Sequence, residues 1–216
     1  EDSLRGTYPR ASSVDYLVGR LNRPLIRLGA YYGDVPTDAD DLLRGRRESW
    51  HRTRDRTGWI CPYVNCPRCG HQSMIWLDED VRREADENQR GNFGRHARLR
   101  CQDCNEQVSS EHVSLTRRQM LALPPDILFT TTEMLNRRLS NAPELPLFGI
   151  GAAFPPRLVL MDEIHLNEGI HGAQVGYLLR RWRNARGYHP DHSLCIVGLS
   201  ATLTQAETFF SRLTGI

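Results

Sequence analysis

Hydrophobic and polar positions change texture twice along the chain, and the outer parts share one pattern. Leu158-Val-Leu-Met161 is an unbroken apolar run, which reads as a buried strand of a parallel sheet. It runs directly into Asp162 and Glu163, which must emerge at the carboxyl edge of that sheet. Leu194-Cys-Ile-Val-Gly-Leu199 predicts a second strand, with Cys195 as plain core and with Ser200 and Thr202 delivered to the same edge. Between them, the segment from Gly169 carries small residues early and Arg180, Arg181, Arg183 and Arg186 late, then meets Gly187 and Pro190. That order suits a helix lying close on a sheet, with cations at its C-terminus. Upstream, residues 126–130 predict a strand and residues 130–139 a threonine-capped helix. Residues 114–123 predict a short helix stopped by Pro124 and Pro125. Near the start, Ser12 or Ser13 caps a helix with Val14, Leu17, Val18 and Leu21 on one face, and residues 25–32 predict a strand ended by Gly33 and Asp34. Alternating strands and helices predict an α/β fold, a parallel sheet with helices on both faces.

The middle of the chain breaks this pattern. We expect residues 1–43 and 119–216 to form one α/β lobe, with residues 44–118 inserted as a second. In the insert, Arg44, Arg46, Arg47, Arg52, Arg54 and Arg56 crowd together with Trp50 and Trp59 between and beside them. Arginines interleaved with aromatics suit a nucleic-acid backbone and its bases, and equally suit a solvated helix face. Cys66-Pro-Arg-Cys69 and Cys101-Gln-Asp-Cys104 then form two knuckles with 31 residues between them. Four thiolates make a closed tetrahedral Zn²⁺ set, structural because no coordination position is left for water. Cys61 is a possible substitute ligand and His71 a weaker one. The polar, highly charged residues 78–100 between the knuckles predict an exposed arm.

Composition sharpens the picture in two places. All 28 basic residues are arginine, so no lysine is available for a phosphate-cradling G-x-x-x-x-G-K-[ST] loop. The paired C-x-x-C motifs, with no basic and apolar leader at the start, predict a metal in a reducing, cytoplasmic setting rather than disulfides. No apolar run approaches the roughly 20 residues that span a bilayer, and a net charge of +2 selects no partner by itself.

Carboxylates at a parallel strand's carboxyl edge have a recognised chemistry. Asp162 could hold a hydrated Mg²⁺ on nucleotide phosphates, and Glu163 could orient the attacking water. The plainer alternative is a buried strand ending in a solvated acidic turn. A metal held by Asp162, His165 and His171 is a further alternative. At the threonine-capped start of the helix in residues 130–139, free N–H groups and hydroxyls could hold a phosphate.

The order of segments is itself a pattern. Tyr8-Pro-Arg-Ala11, a strand ending in Gly33-Asp34, Thr130-Thr-Thr-Glu-Met-Leu135, Asp162-Glu-Ile-His165 and Ser200-Ala-Thr202 follow one another. This resembles the first RecA-like lobe of a superfamily 2 DEAD/DEAH-like helicase, over roughly residues 5–35 and 120–216. The resemblance implies a partial RecA-like P-loop NTPase lobe carrying a four-cysteine, zinc-ribbon-like insert. It implies ATP and Mg²⁺ as cofactors, with Asp162 on the metal through water and Glu163 as hydrolytic base. His165, Ser200 and Thr202 would couple nucleotide state to grip on nucleic acid, DNA being favoured. Pro9, Arg10, Ala11, Thr130, Thr131 and Glu133 fall on family segments that touch the strand backbone. Arg52, Arg54 and Arg56 join them as candidates from the insert. The segment from Asp162 to Gly172 is similar to bacterial repair helicases and to phage-defence helicases of the DISARM type, which implies a partner subunit of a defence complex. The missing lysine loop and second lobe are expected outside these residues, so the 216-residue chain alone is expected not to hydrolyse ATP. The alternative is a zinc-stapled nucleic-acid- or protein-binding module on a catalytically inert RecA-like scaffold.

Overall fold

A computed structural model describes residues 26–187, 193–200 and 206–216. It divides into two compact units, one ending at Thr130 and the other spanning Thr131–Ile216.

The first unit opens with β1 (Leu28–Tyr31), which ends at the Gly33 turn as its sequence implies. A short helix α1 (Asp40–Leu43) follows, and then the chain leaves for an antiparallel meander of five strands. These are β2 (His51–Arg52), β3 (Gly58–Ile60), β4 (Met74–Leu77), β5 (Leu99–Cys101) and β6 (Gln107–Val108). Helix α2 (Asp78–Gln89) connects β4 to β5. The chain rejoins the first sheet at β7 (Val113–Ser114), and α3 (Arg117–Ala122) leads to β8 (Ile127–Thr130). The three strands β7, β1 and β8 are parallel, with β1 in the centre. Gly29 of β1 has no side chain because α3 and the following turn press on it. A Cβ there would lie 2.8 Å from both Met120 Sδ and Pro125 Cγ.

The meander has its own core. Trp50, Trp59 and Trp76 are buried with Met74, Val81, Ala85 and Leu99. Burying three indoles explains how a small lobe finds enough apolar area to order. The two tryptophans that the sequence places among arginines, Trp50 and Trp59, are therefore core residues and not surface stacking platforms. Residues 78–100 also differ from expectation. They do not form an exposed arm, because Asp80 and Glu84 of α2 are buried and bonded. The Glu84 carboxylate accepts the N–H of Gly94 (2.5 Å) and of His96 (2.7 Å), and Arg98 donates two hydrogen bonds to Asp80. Arg82 pairs with Asp78, Arg83 with Glu79, Arg90 with Glu87 and Arg98 with Asp80 within this segment, so a composition that reads as solvated folds back on the sheet.

The second unit begins with α4 (Thr132–Arg138), capped by Thr131, whose Oγ1 accepts the N–H of Met134 at 3.1 Å. A 3₁₀ segment (Ala142–Phe148) ends at Gly149 and leads to β9 (Leu158–Met161). A 3₁₀ turn (Ile164–Leu166), helix α5 (Gly169–Arg186), strand β10 (Cys195–Gly198) and helix α6 (Ala206–Thr214) complete it. β9 and β10 pair in parallel, Leu158 opposite Cys195 through Met161 opposite Gly198. One face of this pair is packed: Met161, Ile164, Val175, Leu179, Ile196 and Leu213 form the core. The other face is not. Leu158 is 53% and Leu160 61% exposed, and Cys195 is exposed as well. The strand expected to be buried on both faces is thus covered on one, and Cys195 is not core. Arg180 and Arg183 tie α5 to the end of α6 through the carbonyls of Arg212 and Thr214.

Among the described residues, the architecture is α/β with two parallel sheets, of three and two strands, plus the antiparallel meander bearing the cysteines. None of their helices is long and apolar enough to cross a membrane.

Candidate functional site

Two places bring together the residues that the sequence singles out. The first is the carboxyl edge of β9 and β10. Parallel pairing delivers Asp162 and Ser200 to the same end of the two strands. The turn after β9 is stitched to the exit of β10, because Leu199 N–H donates to Met161 O (2.8 Å) and Ile164 N–H donates to Leu199 O (3.0 Å). Ile164 faces the core and anchors the turn, so its polar neighbours face outward. Asp162 and Glu163 are exposed, and Asp162 Oδ1 accepts the Glu163 N–H at 2.9 Å.

Glu163 sits in the left-handed region, φ +47° and ψ +46°, without being glycine. A side chain there is strained, and such strain is held only where neighbouring bonds over-determine it. Here the cross-strand bonds from Ile164 and Leu199 do so. His165 links the parts: its Nδ1 lies 3.1 Å from Ser200 Oγ and 3.2 Å from Glu163 Oε2. One imidazole nitrogen thus stands between a carboxylate of its own turn and a hydroxyl 35 positions further along the chain. Thr202 lies outside the described residues, as do Pro9, Arg10 and Ala11.

Of the remaining strand-backbone candidates, Thr130 ends β8, with its hydroxyl donating to Tyr31 O (2.8 Å), so that group is committed within the sheet. Thr131 is the cap of α4, and the exposed Glu133 pairs with Arg137 at 2.6 Å. Arg52 lies along the lobe's surface, 4.5 Å over the Trp59 ring and 2.8 Å from Asp78. Arg54 and Arg56 are exposed in the β2–β3 turn.

The second place is the end of the meander. Cys66, Cys69, Cys101 and Cys104 place their sulfurs within 4.8 Å of one another. Cys66 Sγ is 3.5 Å from Cys104 Sγ, and Cys69 Sγ is 3.7 Å from Cys101 Sγ. A tetrahedron built on Zn–S bonds of about 2.3 Å has edges of about 3.8 Å, so the donor set fits a metal such as zinc.

The two knuckles repeat one backbone device. Gly70 N–H donates to Cys66 O and Asn105 N–H to Cys101 O, and both residues have positive φ, +78° and +61°. Glycine and asparagine are the residues that tolerate this turn, and they follow Cys69 and Cys104 directly. Cys66 N–H then donates to His71 O, and Cys101 N–H to Glu106 O. Burial raises the Cys101 thiol, but the Ser73 hydroxyl at 3.1 Å and backbone N–H groups outweigh it and bring it down to about 6. Cys61 is not a fifth member. It is buried in the lobe's core, where desolvation pushes its thiol up to about 11.

Sequence reasoning missed Ser73 and Asp103. Ser73 bonds Cys101, and Asp103 bonds His71 Nδ1 at 2.9 Å across the two knuckles. Asp103 stands inside the second knuckle and was legible as a neighbour of the ligands. Ser73 carries no signal, because only strand pairing puts it there. Metal-capable groups among the described residues are the four cysteines and the overlapping set Cys69, His71 and Asp103. Asp162, His165 and His171 are not such a group. Comparison of the chain with protein-family models, with curated proteins and with solved structures returns no match.

Proposed function

We propose that this chain supplies the hydrolytic edge of an ATP-dependent nucleic-acid motor, a helicase or translocase built on a RecA-like lobe. The supporting observation is the arrangement around His165: a strained glutamate at the end of one parallel strand and a serine at the end of its neighbour, both within hydrogen-bond reach of one imidazole nitrogen. A solvated acidic turn requires neither the left-handed glutamate nor the cross-strand bond.

In this reading Asp162 would hold Mg²⁺, which would offset charge on the nucleotide phosphates. Its side chain is exposed at the edge, and one of its oxygens stays outside the bond to Glu163 N–H. Bound Mg-ATP supplies the phosphoanhydride. Glu163 would accept the proton of the water that adds to the γ-phosphorus as the β–γ phosphoanhydride bond breaks and ADP leaves. His165 passes the state of that carboxylate to Ser200, whose strand leads on toward the segment carrying Thr202. A lysine-bearing phosphate loop must come from outside these 216 residues, since they contain no lysine. DNA held through its phosphates is the proposed track, with bacterial phage defence or repair as the setting, and the cysteine cluster holds Zn²⁺.

The test uses the protein that carries this stretch together with its phosphate loop. Glu163→Gln should lower ATP turnover about 10²–10⁴-fold, the usual contribution of a general base, with ATP and DNA binding retained. Ser200→Ala should leave ATP turnover largely intact and abolish DNA-stimulated movement. Unchanged turnover in Glu163→Gln would sink the reading.

A second reading is favoured by the meander's separate core and its own cysteine cluster. In it the chain is a zinc-stapled binding module on an inert scaffold, and DNA or protein affinity ignores nucleotide altogether.

A further inference from the structure

The arginines of the meander fall into two kinds. Arg47 binds Asp41, Arg52 binds Asp78, Arg90 binds Glu87, Arg98 binds Asp80 and Arg100 binds Asn105. These cations are neutralised or oriented by the lobe itself. Arg54 and Arg56 differ. Both are exposed, and among the described residues neither side chain has a hydrogen bond or ion pair. They sit in the turn between β2 and β3, and that turn is tightly built. Thr53 N–H donates to Gly58 O (3.0 Å), Arg56 N–H donates to Thr53 O (3.0 Å), and Asp55 Oδ1 accepts both the N–H and the hydroxyl of Thr57. The acid between the two arginines is thus committed to shaping the turn.

The backbone at Arg56 adds a second observation. Its φ is +59°, the left-handed region where glycine is free and a side chain is strained. A turn that served only to join two strands would be better made with glycine or asparagine at that position. Instead the strain coincides with a free guanidinium, which points from the outlier to a function for the side chain.

We infer that the β2–β3 turn is a nucleic-acid contact, with Arg54 and Arg56 each meeting a phosphate of a DNA duplex. The nature of the polyanion rests on the reading proposed above. A rigid turn holding two guanidinium groups suits the fixed phosphate ladder of a duplex, because little of the turn has to be ordered on binding. Arg52, one residue before the turn, belongs to the lobe's packing and not to this contact.

The test is a salt titration of the full chain binding a short mixed-sequence DNA duplex, without nucleotide, alongside thermal melting. Arg56→Gly should melt no lower than the unaltered chain, since glycine relieves the strain. Combined with Arg54→Ala, it should reduce the slope of log K against log[salt] by about two, and affinity near physiological salt roughly ten- to thirtyfold. A purely structural role for Arg56 predicts the opposite pair, a lower melting temperature and an unchanged slope, and would overturn the inference. Duplex binding by the unaltered chain that the double variant matches in affinity and slope overturns the turn assignment alone. No duplex binding by the unaltered chain overturns both this and the nucleic-acid reading it rests on.

Discussion

Glu84 offers a direct measure of what holds the segment between the cysteine knuckles. Its side chain is 0% exposed, and its two oxygens accept the backbone N–H groups of Gly94 and His96. Hydrogen bonds to a charged group contribute about 1.5–3 kcal/mol each, and a buried donor left without a partner costs about 1–3 kcal/mol. Glu84→Ala strips both donors at once. Part of the loss is recovered as the loop opens to water, so we expect a destabilisation of roughly 3–5 kcal/mol. Glu84→Gln keeps one acceptor in nearly the same volume and should cost about half as much. Against a typical domain stability of about 5–15 kcal/mol, the alanine variant loses a large share of the lobe's margin. Urea unfolding followed by tryptophan emission reads mainly this lobe, because Trp50, Trp59 and Trp76, three of the chain's four tryptophans, lie in its core. With a denaturant slope of about 1–3 kcal/mol per molar, the alanine variant should move the midpoint down by roughly 1–5 M and the glutamine variant by about half of that. An alanine variant whose midpoint stays within about 0.3 M of the unaltered protein would refute the reasoning. Residues 78–100 would then be the solvated arm that their composition suggests.

Two further outcomes are expected. At the proposed zinc site, a chelator or replacement of Cys104 by serine should remove one tightly bound zinc by elemental analysis and shift the emission of the meander's tryptophans to longer wavelength, since the four clustered sulfurs would lose the ion that draws them together. Asp41 should make part of the first unit's stability pH-dependent. Burial acts to raise its carboxyl, but Arg47 and the Thr37 N–H outweigh it and hold it below the ordinary 3.8. A folded value below the unfolded one means the contribution is complete above pH 3.8 and disappears as pH falls through the folded value. Asp41→Asn should therefore cost about 1–2 kcal/mol near neutrality, judged by urea midpoints, with the difference from the unaltered chain shrinking below about pH 4.

Sequence determined the local pieces because their causes are local. Thr131 caps its helix since its hydroxyl needs only the N–H three residues on. The knuckles turn at Gly70 and Asn105 because those residues accept positive φ. The run from Leu158 to Met161 forms a strand, and α5 begins at Gly169 and stops at Arg186, just before Gly187. The candidate metal ligands were equally legible, because C-x-x-C spacing alone points two sulfurs the same way.

Tertiary structure decided whatever depends on which surfaces meet. Composition could not say that Trp50 and Trp59 face inward, or that Arg52 is spent on Asp78 while Arg54 and Arg56 are not. Nor could it show that Glu84 of α2 folds back on backbone donors and Asp80 on Arg98, instead of facing water. The unbroken apolar runs read β9 as a buried strand and Cys195 as core, whereas the packing of α5 and α6 covers one face only. The acidic edge shows the division most clearly. Asp162, Glu163, His165 and Ser200 could be named from the chain. Parallel pairing of β9 with β10 then brought His165 within reach of both Glu163 and Ser200. Only the backbone bonds between Ile164, Leu199 and Met161 explain how Glu163 is held in a conformation that its own side chain disfavours.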